Sequence, residues 1–489
     1  STPIKSSAAS DVYKRQGDIM KLSGEIALAS GFIFDYSNMI NTDTITSAVI
    51  ETLESKAKDA ADALLLIREQ GMAKAHLSKD GTPEHVFFTK LPFVQNGNPN
   101  TPESIAKLKQ FGSYLQQEID AVVFLGVGGS YLGNKVLFDI FAGSGWNVGC
   151  EKSRHGYPRV YFSGNNLDVD QYSEVMDEVE YLATHRLGKN EQFRVLLVPI
   201  SKSGTTLETL AAFSYFYEQC QKSSLLQMEV AVVTDLDEDI SPLYNLAKEN
   251  VWQCFEIKEG IGGRFCIFSD PGLITAAAIG MDIDAFLCGA RDMENACQSA
   301  SLGENPALLN AVLKYAAAEK GVDIEVFMPY AAKMKSVGEW YVQLLAESLG
   351  KRKDREGNVV YYGRTPVSAV GSTDMHAQTQ QHQDGKKDKV IQFVEILERE
   401  QQIVLNNPFT HISSLKKYDG LSVDHALKIA LAANEEALNS DGRLNAKYIL
   451  PRIDEYYLGQ LLYFLMLSVA YEGELADVDA YDQPGVETY

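Results

Sequence analysis

From Ala121 onward the sequence alternates short, unbroken apolar runs with longer amphipathic stretches, and this rhythm restricts the fold more than any other feature. Val122-Val123-Phe124-Leu125, Val160-Tyr161-Phe162, Val195-Leu196-Leu197-Val198 and Val230-Ala231-Val232-Val233 are too short for helices. They also lack the polar alternation of a half-exposed strand. They read as strands buried on both faces, hence as a parallel sheet. The spacing predicts helices over 132–141 and 207–221, with another opened by Asp239-Ile240-Ser241-Pro242. Small residues follow each strand, as in Gly126-Val127-Gly128-Gly129-Ser130 and Gly164-Asn165-Asn166. Ligands of such sheets bind beyond the carboxyl ends of the strands, where these loops lie.

The remainder organises around this unit. Periodicity predicts helices over 50–70, 105–119, 285–300, 306–319 and 335–349, and strands over 324–328 and 390–396. Residues 351–389 read as loop-rich. A chain of 489 residues exceeds one core. The expected division is a non-native leader over 1–17, a mainly helical segment over 18–110, α/β units over 111–285 and 286–421, and a helical segment over 422–489. The most apolar helical stretch, Leu461 to Tyr471, is shorter than the ~20 residues of a membrane span and reads as a buried core helix.

A net charge of −22 argues against nucleic acid as a partner, because such binding depends on neutralising phosphates. It leaves room for a small anion held in a focused positive pocket. Six cysteines without a CxxC pair read as reduced thiols of a cytoplasmic protein. His376 and His382, six residues apart with no cysteine near, do not fit a zinc site.

Several motifs carry chemistry. Ser201-Lys202-Ser203-Gly204-Thr205-Thr206 joins a buried strand to a helix start, where free N–H groups and the helix dipole suit a phosphate. Taken alone, it reads equally as an N-cap. The turn at Gly126 fails the dinucleotide pattern, because Tyr131 stands where the third glycine belongs. Gly262-Gly263-Arg264 offers close backbone approach beside a guanidinium, or simply a surface arginine. On the 335–349 helix, Gln343 and Glu347 stack at i,i+4 beside an apolar stripe. There partial desolvation would suit a base, although a solvated glutamate is the commoner case. His376 sits in a polar loop and suits acid–base work or plain hydrogen bonding. Lys351-Arg352-Lys353 and Lys386-Lys387 read as solvated charges.

Six motifs in order, GVGGSYLG at 126–133, SKSGTTLE at 201–208, GIGGRF at 260–265, AESLGK at 346–351, STDMHAQ at 372–378 and YDQPGVETY at 481–489, make the chain similar to the glucose-6-phosphate isomerase (phosphoglucose isomerase) family, bacterial type. The likeness runs from about residue 60 to the end. It implies an α/β fold of two sugar-isomerase (SIS-like) three-layer domains with mostly parallel sheets, plus helical N- and C-terminal segments. It also implies a homodimer working without metal or organic cofactor on a hexose 6-phosphate. By the resemblance, Gly129, Ser130 and the loop Ser201, Lys202, Ser203, Gly204, Thr205 and Thr206 bind substrate, with Gln343 and Gln483 in contact with it. Glu347 matches the base that moves a proton between carbons 2 and 1 through a cis-enediol, and Arg264 the stabiliser of the enediolate. His376 matches the ring-opening residue donated by the neighbouring subunit, and Glu208 would orient it. The family's closing motif runs on from GVE through two residues to a lysine that assists ring opening, whereas this sequence stops at Tyr489. That predicts better turnover of open-chain substrate than of the pyranose. The competing readings are a non-catalytic sugar-phosphate sensor on the same domain and, third, a nicotinamide-dependent dehydrogenase, against which the broken glycine pattern counts.

Overall fold

The computed structural model describes residues 23–41, 44–78, 80–189 and 191–485. The leader expected over 1–17 and the closing residues 486–489 lie outside them. The chain begins with a hairpin, β1 (Glu25–Ala27) and β2 (Ile33–Asp35), then α1 (Ser47–Gln70), a second hairpin β3 (Met72–Leu77) and β4 (Pro83–His85), and α2 (Pro102–Glu118). Next come β5 (Ala121–Leu125), α3 (Gly129–Leu137), β6 (Arg159–Ser163), α4 (Val169–Thr184), β7 (Phe193–Pro199), α5 (Leu207–Lys222), β8 (Leu226–Thr234), α6 (Pro242–Asn250) and β9 (Gln253–Glu256). Helices α7 (Asp270–Ile279), α8 (Ile283–Ala296) and α9 (Pro306–Ala318) lead to β10 (Ile324–Pro329) and α10 (Lys335–Leu349). The remainder is β11 (Lys351–Lys353), β12 (Val359–Tyr362), β13 (Thr365–Ser368), α11 (Met375–Asp384), β14 (Lys389–Ile396), α12 (Val423–Ser440), β15 (Asn445–Leu450) and α13 (Glu455–Leu475).

The first sheet has the order β6-β5-β7-β8-β9 and is parallel throughout. Because side chains alternate along a strand, each run feeds two cores. Val122, Phe124, Leu196 and Val198 face α2 and α7, while Val123, Leu125, Val195 and Leu197 face α4, α5 and α6. Burial on both faces is why these strands are unbroken apolar runs. Leu125 lies opposite Pro199, so the loops after β5 and β7 emerge side by side.

The second sheet has the order β1-β2-β15-β14-β10-β13, parallel from β15 to β13, with the β1–β2 hairpin added antiparallel. The α/β class with mostly parallel sheets is thus as read from the sequence. The second sheet, however, draws strands from outside the 286–421 unit: β2 from the segment expected to be mainly helical and β15 from the tail. Phe32, Phe34 and Tyr36 are buried in alternation, a period-two signal too short to outweigh the helical pattern around it. Residues 375–384 are also a helix rather than a loop; only His382 of α11 is buried, so the Gln-rich run shows no apolar stripe. Helix α13 is buried along nearly its whole length against α8 and α9, as expected for a core helix. Among the described residues no helix is long and apolar enough to cross a membrane.

A buried charge cluster ties α9, β10, α10 and α13 together. Lys314 pairs with Glu325, Arg364 bonds both Glu325 and Glu472, and Tyr341 and Tyr362 donate to these carboxylates at 2.7 and 2.6 Å. Burial alone would push Glu325 up, but Lys314 and Arg364 hold it down at about 2. Its contribution to stability is therefore complete above its ordinary value of 4.5 and disappears as the pH falls towards 2. The urea midpoint is expected to fall over that acidic window in the parent and less steeply in Glu325→Gln.

Candidate active site

Helix α5 starts at a loop that does not cap it. Thr206 occupies the N-cap without a side-chain bond to the first turn; its hydroxyl instead meets that of Ser201 at 2.8 Å. Ser203 and Thr205 pair likewise at 2.8 Å. Gly204 has φ +64°, and a Cβ there would lie 2.3 Å from Ser241 Oγ, so the tight turn requires glycine. The loop thus presents hydroxyls, the exposed Lys202 and the uncapped end of a 16-residue helix, an arrangement suited to an anion. Glu208 lies half-buried in the first turn of α5.

The loop after β5 lies beside it. Ile200 N donates to Leu125 O at 2.8 Å, and Gly129 opens α3 with Ser130 behind it. Gly129 lies so close to the next turn that a Cβ would sit 2.1 Å from Gly263 O. Cys266 Sγ donates to Gly129 O at 3.4 Å. A Cβ on Gly128 would meet Gln343 Nε2 at 3.1 Å, which places this turn against α10.

Arg264 is 1% exposed and uses all its donors. Nε bonds Ser348 Oγ at 2.7 Å; Nη1 bonds Gln483 Oε1 at 3.1 Å and Glu347 Oε2 at 3.4 Å. Nη2 bonds the carbonyls of Ala480 at 2.6 Å and Asp482 at 3.0 Å. Burial pulls its pKa below the ordinary value, opposed by Glu347, Asp482 and Asp479. The other oxygen of Glu347 accepts from Gln343 Nε2 at 3.0 Å, the i,i+4 pair anticipated from spacing. Gln343 Oε1 is buried without a partner, an acceptor left over for a ligand hydroxyl. Glu347 retains 25% side-chain exposure, so it is held between a cation and an amide yet open on one side.

A cavity of about 550 Å³ borders this cluster and is lined by Lys202, Gly262, Gly263, Arg264 and Gln483 together with the β3–β4 hairpin. Lys202 of the loop thus shares a cavity with Arg264 and Gln483, while the glycine turns abut one another and Gln343, which bonds Glu347. His376 does not join these groups. Gly338, near the start of α10, abuts Ser368 at the end of β13, whereas Gly363, before β13, abuts Leu349 at the end of α10. Glu347 and the exposed His376, which follows β13, therefore lie towards opposite ends of a helix about 20 Å long. Among the described residues no hydrogen bond links His376 to Glu208.

One basic run differs from its expected solvated state. Lys351 is buried, bonding Glu347 O at 2.7 Å, Asp482 O at 2.7 Å and Asp482 Oδ1 at 2.8 Å. Its charged partner Asp482 is 131 residues away, so nothing local in the sequence marks the pair.

A helix start lined with hydroxyls, a carboxylate poised on a buried cation and parallel sheets that carry both are the features expected of a sugar-phosphate isomerase. The sequence profile of phosphoglucose isomerase matches residues 103–488, and the chain belongs to that family. Glucose-6-phosphate isomerase of Carboxydothermus hydrogenoformans is 34% identical over 400 residues, covering 82% of each chain. The Methanocaldococcus jannaschii enzyme of the same name is 32% identical over 79% of this chain and 85% of its own. Among solved structures, a hypothetical protein of Thermus thermophilus superposes with a TM-score of 0.73 at 28% identity, over 90% of this chain and 94% of that one. A glucose-6-phosphate isomerase of Chlamydia trachomatis shares the fold, with a TM-score of 0.76 at 22% identity over 95% of this chain and 87% of its own.

Proposed function

We propose that the chain interconverts glucose 6-phosphate and fructose 6-phosphate, as the names of its relatives indicate. The observation that carries this reading is the placement of Glu347 between Arg264 Nη1 and Gln343 Nε2, with one side open. In this reading the Ser201–Thr206 loop, with Gly129 and Ser130, grips the 6-phosphate at the start of α5. Gln343 and Gln483 hold sugar hydroxyls. Glu347 takes the proton from carbon 2 of the open-chain aldose, and the electron pair becomes the double bond of a cis-enediol. The charge that develops on oxygen lies beside Arg264, where a fixed guanidinium lowers the barrier without reorganising. The hydroxyl proton passes from oxygen 2 to oxygen 1 while Glu347 returns the carbon-bound proton to carbon 1, so that carbon 2 becomes the carbonyl of the ketose, with no metal or organic cofactor required. The two sheets then represent two sugar-isomerase units, one over 111–285 and one centred on 286–421 whose sheet is completed by β1 and β2 from 18–110 and β15 from 422–489, in a cytoplasmic enzyme.

Ring opening is assigned to His376 of a second copy in a homodimer, oriented by Glu208. The separation of His376 from Glu347 along α10 supports donation across subunits. Mixing inactive Glu347→Gln with inactive His376→Ala and allowing subunits to exchange is expected to restore activity to about a quarter of the sites, because each mixed dimer regains one intact site. No recovery, measured with mixed dimers confirmed by mass, would place His376 outside the partner's site.

A sugar-phosphate sensor would need the hydroxyl loop but not a carboxylate set against a buried arginine, which weighs against that reading. The decisive assay is turnover of fructose 6-phosphate by the purified protein with a chelator present, run also in deuterium oxide. Glucose 6-phosphate carrying solvent deuterium at carbon 2 is the expected product. Binding without turnover would leave the sensor instead.

A further inference from the structure

The groups that complete the coordination of Arg264 come from no regular element. Ala480, Asp482 and Gln483 belong to a strap that leaves α13 at Leu475 and crosses the site without helix or strand pairing. Such a segment keeps its position only through its tethers. Lys351 holds Asp482. Tyr481 packs against Phe88 and Phe265, with ring centroids 6.0 and 5.9 Å away. The third tether is an imidazole–carboxylate pair: His76 Nδ1 lies 2.9 Å from Asp479 Oδ2, with the side chains 8% and 12% exposed. Burial alone would raise the Asp479 carboxyl, but the bond and charge of His76 keep it below its ordinary value. His76 stands on β3, and its other nitrogen faces Glu84 of β4 at 3.7 Å. Hairpin and strap line the same cavity as Arg264.

We propose that His76 and Asp479 are a positioning pair for the isomerase site, tying the β3–β4 hairpin to the strap and so fixing where Gln483 and the two strap carbonyls meet Arg264. The inference rests on the isomerase reading above. Neither residue hydrogen-bonds Arg264 or Glu347; both act through the strap residues that follow Asp479. Where reacting groups must be held to a fraction of an ångström, release of such a tether lowers turnover more than binding.

The test uses the full chain and fructose 6-phosphate. His76→Ala and the isosteric Asp479→Asn are expected to lower kcat about tenfold with KM changed less than about threefold. His76→Asn, whose amide reaches the position of Nδ1, is expected to recover most of the loss. In a Gln483→Ala background, adding His76→Ala is expected to lower kcat by less than about twofold, because the pair acts through the strap. A residue that only stabilises the fold would multiply its full factor onto that background and would not distinguish Asn from Ala. Unchanged kcat in both single variants, or undiminished loss in the Gln483→Ala background, overturns the proposal while the parent still turns over. A parent without turnover overturns the isomerase reading and this inference with it.

Discussion

Glu347→Gln is expected to lower kcat by about 10³-fold while the affinity for sugar phosphate stays within a few-fold. The substitution keeps the shape and the contact with Gln343, since a glutamine oxygen can still accept from Nε2. What it removes is the basic oxygen beside Arg264 Nη1. It also leaves the buried guanidinium without that counter-charge. Glu347→Asp should fall between, because the carboxylate survives but is withdrawn by one methylene. Steady-state rates paired with calorimetric binding separate these effects. A Glu347→Gln protein retaining more than about a tenth of parental kcat would exclude Glu347 from the proton transfer.

Arg364→Met is expected to destabilise the fold by about 3–5 kcal/mol, because it leaves two buried carboxylates without their shared cation. Arg364 forks onto Glu325 at 3.1 and 2.9 Å and also holds Glu472. Lys314 remains on Glu325 alone, so Glu472 keeps only the Tyr362 hydroxyl from the cluster. Arg364→Lys should lose less, retaining charge but not the planar fork. Urea-unfolding midpoints and inactivation half-lives at a fixed temperature provide the measure. A midpoint unchanged in Arg364→Met would show that the cluster is not what locks α9, β10, α10 and α13 together.

The parts of this molecule legible in the sequence are those set by short-range pattern. Leu196 and Val198 face one core while Val195 and Leu197 face the other, so the β7 run had to be apolar throughout, and that is its signature. Gln343 and Glu347 were legible as neighbours because four residues is one helical turn. What stayed hidden depends on partners far along the chain. His76 meets Asp479 across 403 residues, and a lone histidine in a six-residue strand gives no sign of it. Lys351 looked solvated because its neighbours Arg352 and Lys353 are, whereas its ammonium is held by Asp482 of the distant strap as well as by the Glu347 carbonyl. Helix α11 was hidden because most of its side chains remain in solvent, leaving propensity as its sole signal.

The register Asp35 with Lys447 has a consequence for how the chain matures. Among the described residues the β1–β2 hairpin pairs in its sheet only with β15, and Phe32 and Phe34 pack on Phe464 of α13, all about four hundred positions downstream, so its open edge must wait while nearly all the polypeptide is made. During synthesis the first sheet can close on its own neighbours, whereas the second stays one strand short at its centre. A ribosome-bound nascent chain halted before residue 445 should therefore present Phe32 and Phe34 to holding chaperones, and their release should coincide with emergence of the tail.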